Sequence, residues 1–240
     1  MQKSAKIALI AVVAVVVLGS LGFWFFFLRS DAPERAALPS RDTTGVTTTT
    51  AAGGDQPPVT PATDNADGTW TLAVGEGVFV GYRISELFAG DTIEVTAVGR
   101  TPVLTGTMTV SGTTITAVDI TADMTALASD SDRRDNALRN QGLETDTYPE
   151  AIFTLTAPIE LGSLPALDTT VDLVATGDLT LHGVTRSVQV PLQARWNGDT
   201  IDIAGGTTVV LADFNITPIS NSFVGIADNG EFEMQLTFTR

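Results

Sequence analysis

VDLVATGDLTLHGVTRSVQVPLQARW, residues 171–196, holds two runs of alternating residues joined by a short polar reversal. Val171, Leu173, Ala175, Leu179 and Leu181 share one parity, and Val188, Val190, Leu192, Ala194 and Trp196 share another. Gln189, Gln193 and Arg195 fall between the second set. Successive side chains of an extended chain point to opposite faces, so a period of two marks strands with one dry and one wet face. Residues 182–186 form the reversal, and Gly183 supplies the backbone freedom a tight turn needs. Two strands joined in so few residues must pair antiparallel.

The same alternation recurs on both sides. Val78, Val80, Tyr82 and Ile84 oppose Phe79, Gly81 and Arg83. Val118, Ile120, Ala122 and Met124 alternate with Asp119, Thr121 and Asp123, and Phe232, Met234, Leu236 and Phe238 alternate with Glu231, Glu233, Gln235 and Thr237. Ser111-Gly112, Asn197-Gly198 and Asn229-Gly230 read as hairpin junctions. Residues 129–144, SDSDRRDNALRNQGLE, break the pattern. An acidic, Ser-rich start and Gly142 as a stop predict one short helix there, between the strand near Met124 and the strand near Phe153. The fold class is all-β. An antiparallel meander protects its edges by closing into a barrel or by pairing two sheets, and the alternation alone leaves both open.

Composition excludes several kinds of chemistry. The chain has no cysteine and one histidine, His182. Disulfides, thiolate catalysis and sites with several Cys or His ligands are therefore absent. No Gly-rich phosphate loop or nucleophile elbow occurs, and neither a cofactor nor a resident metal is expected. From Ala66 onward there are 23 acidic residues and 8 arginines and no lysine, so this part carries the whole net charge of −15. Nucleic-acid binding needs a basic face, which this acidic body lacks. His182 has three readings: a turn residue bonded to backbone or a neighbouring Asp, a contact to a ligand head group, or a catalytic base. The first is preferred, because it lies on the parity opposite to Leu181.

Three segments follow. Residues 1–29 contain an uncharged apolar run of 22 residues between Ile7 and Leu28. A helix of that length spans roughly 33 Å, the thickness of a bilayer core. Lys3 and Lys6 precede it, so the N-terminus is expected in the cytoplasm and the rest outside. The run is longer than a signal-peptide core and ends in bulky FWFFFLRS, which favours an uncleaved anchor over a cleaved signal. Residues 30–66, rich in Thr, Pro and Gly, are expected to be a disordered linker. Residues 67–240 form the folded domain.

Four stretches, WTLAVGEGVFVGYRI, ALASDSDRRDNALRNQGLETDTYPEAIFTL, GDLTLHGVTRSVQVPLQAR and LADFNITPIS, give this domain its family character. It resembles the YceI-like family, polyisoprenoid-binding and lipocalin-like, over residues 69–240. The resemblance implies an eight-stranded antiparallel barrel, exported from the cytoplasm, with an apolar tunnel for an isoprenoid quinone, a polyprenyl chain or another long lipid. The inward positions Val80, Tyr82, Ile84, Val118, Ile120, Phe153, Leu181, Val190, Leu192, Phe232 and Met234 are the expected tunnel wall. The same residue types would also fill a solid core. Tyr82 and Trp196 each add one polar atom to an aromatic wall. Many family members have a histidine in the first long strand, and here Ser85 and Glu86 stand near that place. Arg83, Arg133 and Arg134 are the head-group candidates, with Arg100 and Arg139 as further cations. Arg133 and Arg134 read as a solvated charged face or a structural ion pair pinning the helix to the barrel, with a cationic lid over the tunnel mouth as the rival reading. The expected function is a membrane-tethered, extracytoplasmic carrier of an isoprenoid or fatty-acyl lipid, and no catalytic residue is assigned. The rival readings are a non-binding structural or adhesion domain and a lipid-modifying enzyme using His182.

Overall fold

The computed structural model describes residues 32–40, 65–88, 93–221 and 224–240. The apolar run expected to cross a membrane lies outside the described residues, as do residues 41–64 of the linker. Among the described residues no helix is long and apolar enough to cross a membrane.

The strands are β1 (Gly68–Leu72), β2 (Phe79–Phe88), β3 (Ile93–Thr101), β4 (Leu104–Ser111), β5 (Thr114–Asp123) and the short β6 (Ala128–Ser129). After helix α1 (Asp132–Ala137) and a wider turn (Leu138–Gly142) come β7 (Glu150–Leu155), the short β8 (Ile159–Glu160), β9 (Thr170–Leu181), β10 (Val184–Trp196), β11 (Thr200–Val210) and β12 (Val224–Thr239). All pairings between strands are antiparallel. The order β1-β4-β5-β7-β9-β10-β11-β12 returns to β1, so eight strands close a ring. The choice between barrel and sandwich therefore falls to the barrel.

The opening stretch folds as β9, a turn and β10, with Val184 paired to Leu181. The reversal is only His182-Gly183, at φ 51° and 70°. Positive φ at both positions gives the turn whose twist matches that of the strands it joins. Asn197-Gly198 likewise joins β10 to β11, where the Asn197 carboxamide oxygen accepts from the Asp199 and Thr200 amides at 3.0 and 2.7 Å. Asn229-Gly230 does not turn the chain. It lies inside β12, whose pairing to β2 shifts register between Ile226 and Gly230. Pairing continues there because β11 holds the other edge, with Val210 opposite Asn229.

β12 is 16 residues long and is shared. Its last residues pair with β1, while residues 224–235 pair with β2. The β2–β3 hairpin thus extends the wall beyond the ring, and the far edge of β3 meets only β6. The barrel consequently has two unlike ends. At the end formed by β1, β4 and the C-terminus of β12, Trp70 and Phe238 are 0% exposed, and Met108, Val190 and Leu236 are 1% exposed. The Trp70 indole NH donates to the Ala66 carbonyl at 2.8 Å. This end is solid. At the other end β6 pairs with β3 and leads into α1.

Residues 32–40 have no regular secondary structure but lie along the outer face of β2, β3, β10 and β12, where they make polar contacts.

Candidate functional site

At the end capped by the helical segment, the barrel holds a cavity of about 990 Å³. Its wall includes the inward side chains of β2 (Val80, Tyr82, Ile84, Glu86, Phe88), Leu179 and Leu181 of β9, Val209 of β11, and Ile226 and Phe232 of β12. Leu127, Leu138, Leu143 and Ile216 close it from the segments between strands. The space is hollow because the side of the barrel facing β2 is formed there by a helical segment rather than by a further strand.

The expected wall divides into residues that line this cavity, of which Val80, Tyr82, Leu181 and Phe232 also pack with the core, and residues that do not line it. Val80, Tyr82, Ile84, Leu181 and Phe232 face the cavity. Ile120, Phe153, Val190 and Met234 are buried in the packed cluster, and Val118 and Leu192 pack against it. Trp196 is 7% exposed and belongs to that cluster too. The proposed tunnel does not run the length of the barrel, because Trp70, Met108 and Phe238 plug the far half. Phe88, Leu179, Val209, Ile216 and Ile226 are wall residues outside the expected set. Leu179 was legible, since it shares the parity of Leu181.

One polar cluster enters the apolar wall. Glu86 is 7% exposed. It accepts two hydrogen bonds from Arg134, from Nε at 2.7 Å and from Nη2 at 2.9 Å. Arg134 also bonds the Asp130 carboxylate, and its Nη1 reaches the Ser129 hydroxyl at 3.2 Å. Ser131 caps α1 by accepting from the Arg134 amide at 3.4 Å, and Asp135 accepts from the Ser129 hydroxyl at 2.6 Å. Burial lowers the affinity of Arg134 for its proton, but the bonds to Glu86 outweigh this and hold the guanidinium more firmly charged than usual. A two-bond pair of this kind fixes geometry as well as charge. It anchors the helical segment to β2.

Tyr82 lies beside this pair. Its ring stacks on Gly99, where an added Cβ would come within 2.4 Å of Tyr82 Cε1, so a side chain there would displace the ring. The Tyr82 hydroxyl is buried without a hydrogen-bond partner. Burial pushes its pKa up, partly opposed by Arg134.

The other candidate cations separate. Arg133 lines the cavity mouth, is exposed, and forms no ion pair among the described residues. Arg83 is on the outer face and pairs with Glu233 at 3.4 Å, so it is not a head-group contact. Arg100 is outside as well, bonded to Glu233 at 2.9 Å. Arg139 bonds Asn136 at 3.4 Å. The parity of β2 explains Arg83, since an odd-numbered position there points away from Tyr82 and Ile84.

His182 occupies the turn and does not line the cavity. Its Nδ1 lies 3.1 Å from the Phe214 carbonyl oxygen and its Nε2 3.3 Å from Glu144 Oε2. The Tyr148 ring packs edge-on at 4.4 Å. The imidazole therefore ties the β9–β10 turn to two segments that border the cavity, around residues 143 and 216. The expected backbone partner is present, and the carboxylate partner is a Glu rather than an Asp.

The YceI-like domain family matches residues 76–238. A UPF0312 protein of Vibrio parahaemolyticus is 32% identical over 112 residues, which are 44% of this chain and 56% of that protein. Protein YceI of Escherichia coli is 34% identical over 108 residues, covering 41% of this chain and 51% of the other. The aligned stretch thus spans little more than half the length of these curated relatives. Among solved structures, a polyisoprenoid binding domain from Saccharophagus degradans superposes with a TM-score of 0.56 at 17% identity, covering 71% of this chain and 97% of that one. BcnA of Burkholderia cenocepacia gives 0.50 at 20% identity, covering 65% and 95%. These two likenesses concern the fold.

Proposed function

This chain belongs to the YceI-like family, and from that premise we propose that its barrel binds a long, weakly polar lipid, an isoprenoid above all, in the cavity behind α1. The observation that carries this reading is the cavity itself, about 990 Å³ of space walled mostly by branched aliphatic and aromatic side chains. That is at the upper end of the size range of small-molecule sites, roughly 300–1,000 Å³. A lipid chain leaving water for such a wall gains on the order of 25 cal/mol per Å² of apolar surface buried. The fold is shared with a polyisoprenoid binding domain, which supports the same ligand class.

The polar cluster selects the head group. Arg134 is already matched by the Glu86 and Asp130 carboxylates. A phosphate or carboxylate head would meet these acids and find only Arg133 unpaired. A neutral head bearing an acceptor oxygen would instead take a hydrogen bond from the unpartnered Tyr82 hydroxyl. The preferred ligand is therefore a neutral isoprenoid, such as a quinone, ahead of a polyprenyl phosphate or a free fatty acid. His182, with both ring nitrogens engaged and no place in the cavity wall, supports binding over catalysis.

The reading includes a membrane tether. Residues 7–28 would span the bilayer with the barrel on the extracytoplasmic side, near the source of its lipid. The test is mass spectrometry of an organic extract of the purified chain. A neutral isoprenoid at near one equivalent is expected. No lipid, together with no uptake of fluorescent prenyl or acyl probes, would overturn the proposal.

A further inference from the structure

Glu233 faces outward on β12, between the inward Phe232 and Met234, yet it is 1% exposed. A carboxylate on the outside of a barrel is buried only if something covers it. Arg83 and Arg100 flank it, at 3.4 and 2.8 Å. The cover is the strap formed by residues 32–40. The Ala36 amide donates to Glu233 Oε2 at 3.4 Å and the Ala37 amide to Gln235 Oε1 at 3.3 Å. Arg83 donates to the Pro33 carbonyl at 2.7 Å, Arg100 to that of Glu34, and Arg195 to that of Pro39. Arg35 pairs with Glu231.

These contacts give the strap a direction. Residues 35, 36 and 37 meet residues 231, 233 and 235 of β12, and Pro39 reaches the level of Arg195, which pairs opposite Asp202 near the solid end. The strap thus begins on the cavity side and runs toward the solid end. Its first residue is four steps from Leu28, a reach of about 14 Å at most. From Arg83, which holds Pro33, the end of β2 at the cavity mouth is five residues away, about 17 Å, whereas Thr239 is eight residues from Glu231, about 27 Å. An undocked linker of this length would average roughly 35 Å between its ends and would impose no orientation.

We infer that the strap fixes the barrel with its cavity mouth against the bilayer entered by residues 7–28, so that the mouth rim is a membrane-docking surface. The inference rests on the membrane tether proposed above. The rim suits a lipid surface, because Val210 is 44% exposed and Leu211, Pro218, Ile219 and Val224 stand beside it in the cavity wall. The strongly acidic body restricts this surface to membranes with little negative charge. A lipid then passes between bilayer and cavity without crossing water.

The cysteine-free sequence makes the test direct. The full chain is prepared with a single labelled cysteine, either Val210→Cys at the mouth or Leu167→Cys at the solid end, and reconstituted into phosphatidylcholine vesicles carrying head-group quenchers. Quenching several-fold stronger at residue 210 is expected. Replacing residues 32–40 by a Gly/Ser segment of equal length should equalise the two sites. Arg35→Glu, which sets like charges against Glu231 and leaves the barrel intact, should shift them the same way. Membrane-bound chain with equal quenching, or stronger quenching at residue 167, overturns the orientation and leaves the tether standing. Chain that fails to enter vesicles overturns the tether and the orientation together. Amide exchange at Ala36 and Ala37 as fast as in a free peptide overturns strap docking by itself.

Discussion

Truncating one side chain in each half of the barrel separates a hollow end from a solid one. Leu236 is 1% exposed within the packed cluster, while Ile84 faces the cavity. Leu236→Ala removes buried carbons and leaves a void that the surrounding packed cluster can only partly refill. Such truncations cost about 3–5 kcal/mol. At roughly 2–4 °C per kcal/mol for a domain of this size, the melting temperature should fall by about 6–20 °C. Ile84→Ala removes atoms that already border empty space, so the empty barrel should lose no more than about 1 kcal/mol. The ligand, by contrast, loses wall contacts. At about 0.8 kcal/mol per buried methylene, even partial loss amounts to 1–2 kcal/mol and about a tenfold weaker Kd. Calorimetry reads the first quantity and displacement of a fluorescent prenyl probe the second. Equal destabilisation by the two substitutions would refute the hollow end. A tenfold loss of probe binding in Leu236→Ala, with Ile84→Ala unaffected, would put the ligand in the wrong half of the barrel.

The cavity residues give three further expectations. In a double-mutant cycle, Glu86→Gln and Arg134→Met should couple by about 1–3 kcal/mol in urea denaturation, since either single change strands a buried partner; coupling below about 0.5 kcal/mol would mean that water screens the pair. Tyr82→Phe should stabilise the empty barrel by about 1 kcal/mol, because it deletes a buried hydroxyl that has no partner, and should weaken neutral prenyl ligands with an acceptor oxygen. Because the folded pKa of Tyr82 lies above its unfolded value near 10, its ionisation leaves stability unchanged below about pH 10 and lowers it as pH rises from there. Alkaline denaturation curves should therefore flatten in Tyr82→Phe, and an unchanged curve would show the phenol to be solvated. Gly99→Ala should cost about 1–3 kcal/mol through collision with the Tyr82 ring, and Tyr82→Ala should relieve most of that cost.

The sequence and the structure agree where one rule acts alone. The alternation in β9, β10 and β12 predicts which face of each strand is dry, and the faces are as predicted, because reversing them would expose an entire hydrophobic row. The short helical segment is legible from Ser131, whose hydroxyl caps α1 by accepting from the Arg134 amide, and from Gly142, where the wider turn that follows α1 ends. Two features depend on chains far apart in sequence and leave no local mark. Asn229-Gly230 has the composition of a turn, but its neighbours on both sides, β2 and β11, continue to pair with β12 and convert it to a register shift. Hollow and solid wall positions use the same residue types with the same alternation, so Ile84 and Ile120 look alike in the sequence. Their difference comes from what stands opposite. Ile120 stands between Gly106 of β4 and Phe153 of β7 inside the closed ring, whereas Ile84 lies on the hairpin that β12 carries beyond it. The same reasoning applies to charge. Glu86 has the inward parity of Tyr82 and Ile84, where a carboxylate without a partner would be expelled from the fold. An inward Glu on a strand is thus a signal that a cation must come from elsewhere in the chain, and Arg134 on the inserted helix supplies it. The side chain that breaks the apolar wall is also the one that holds the helical segment over the cavity.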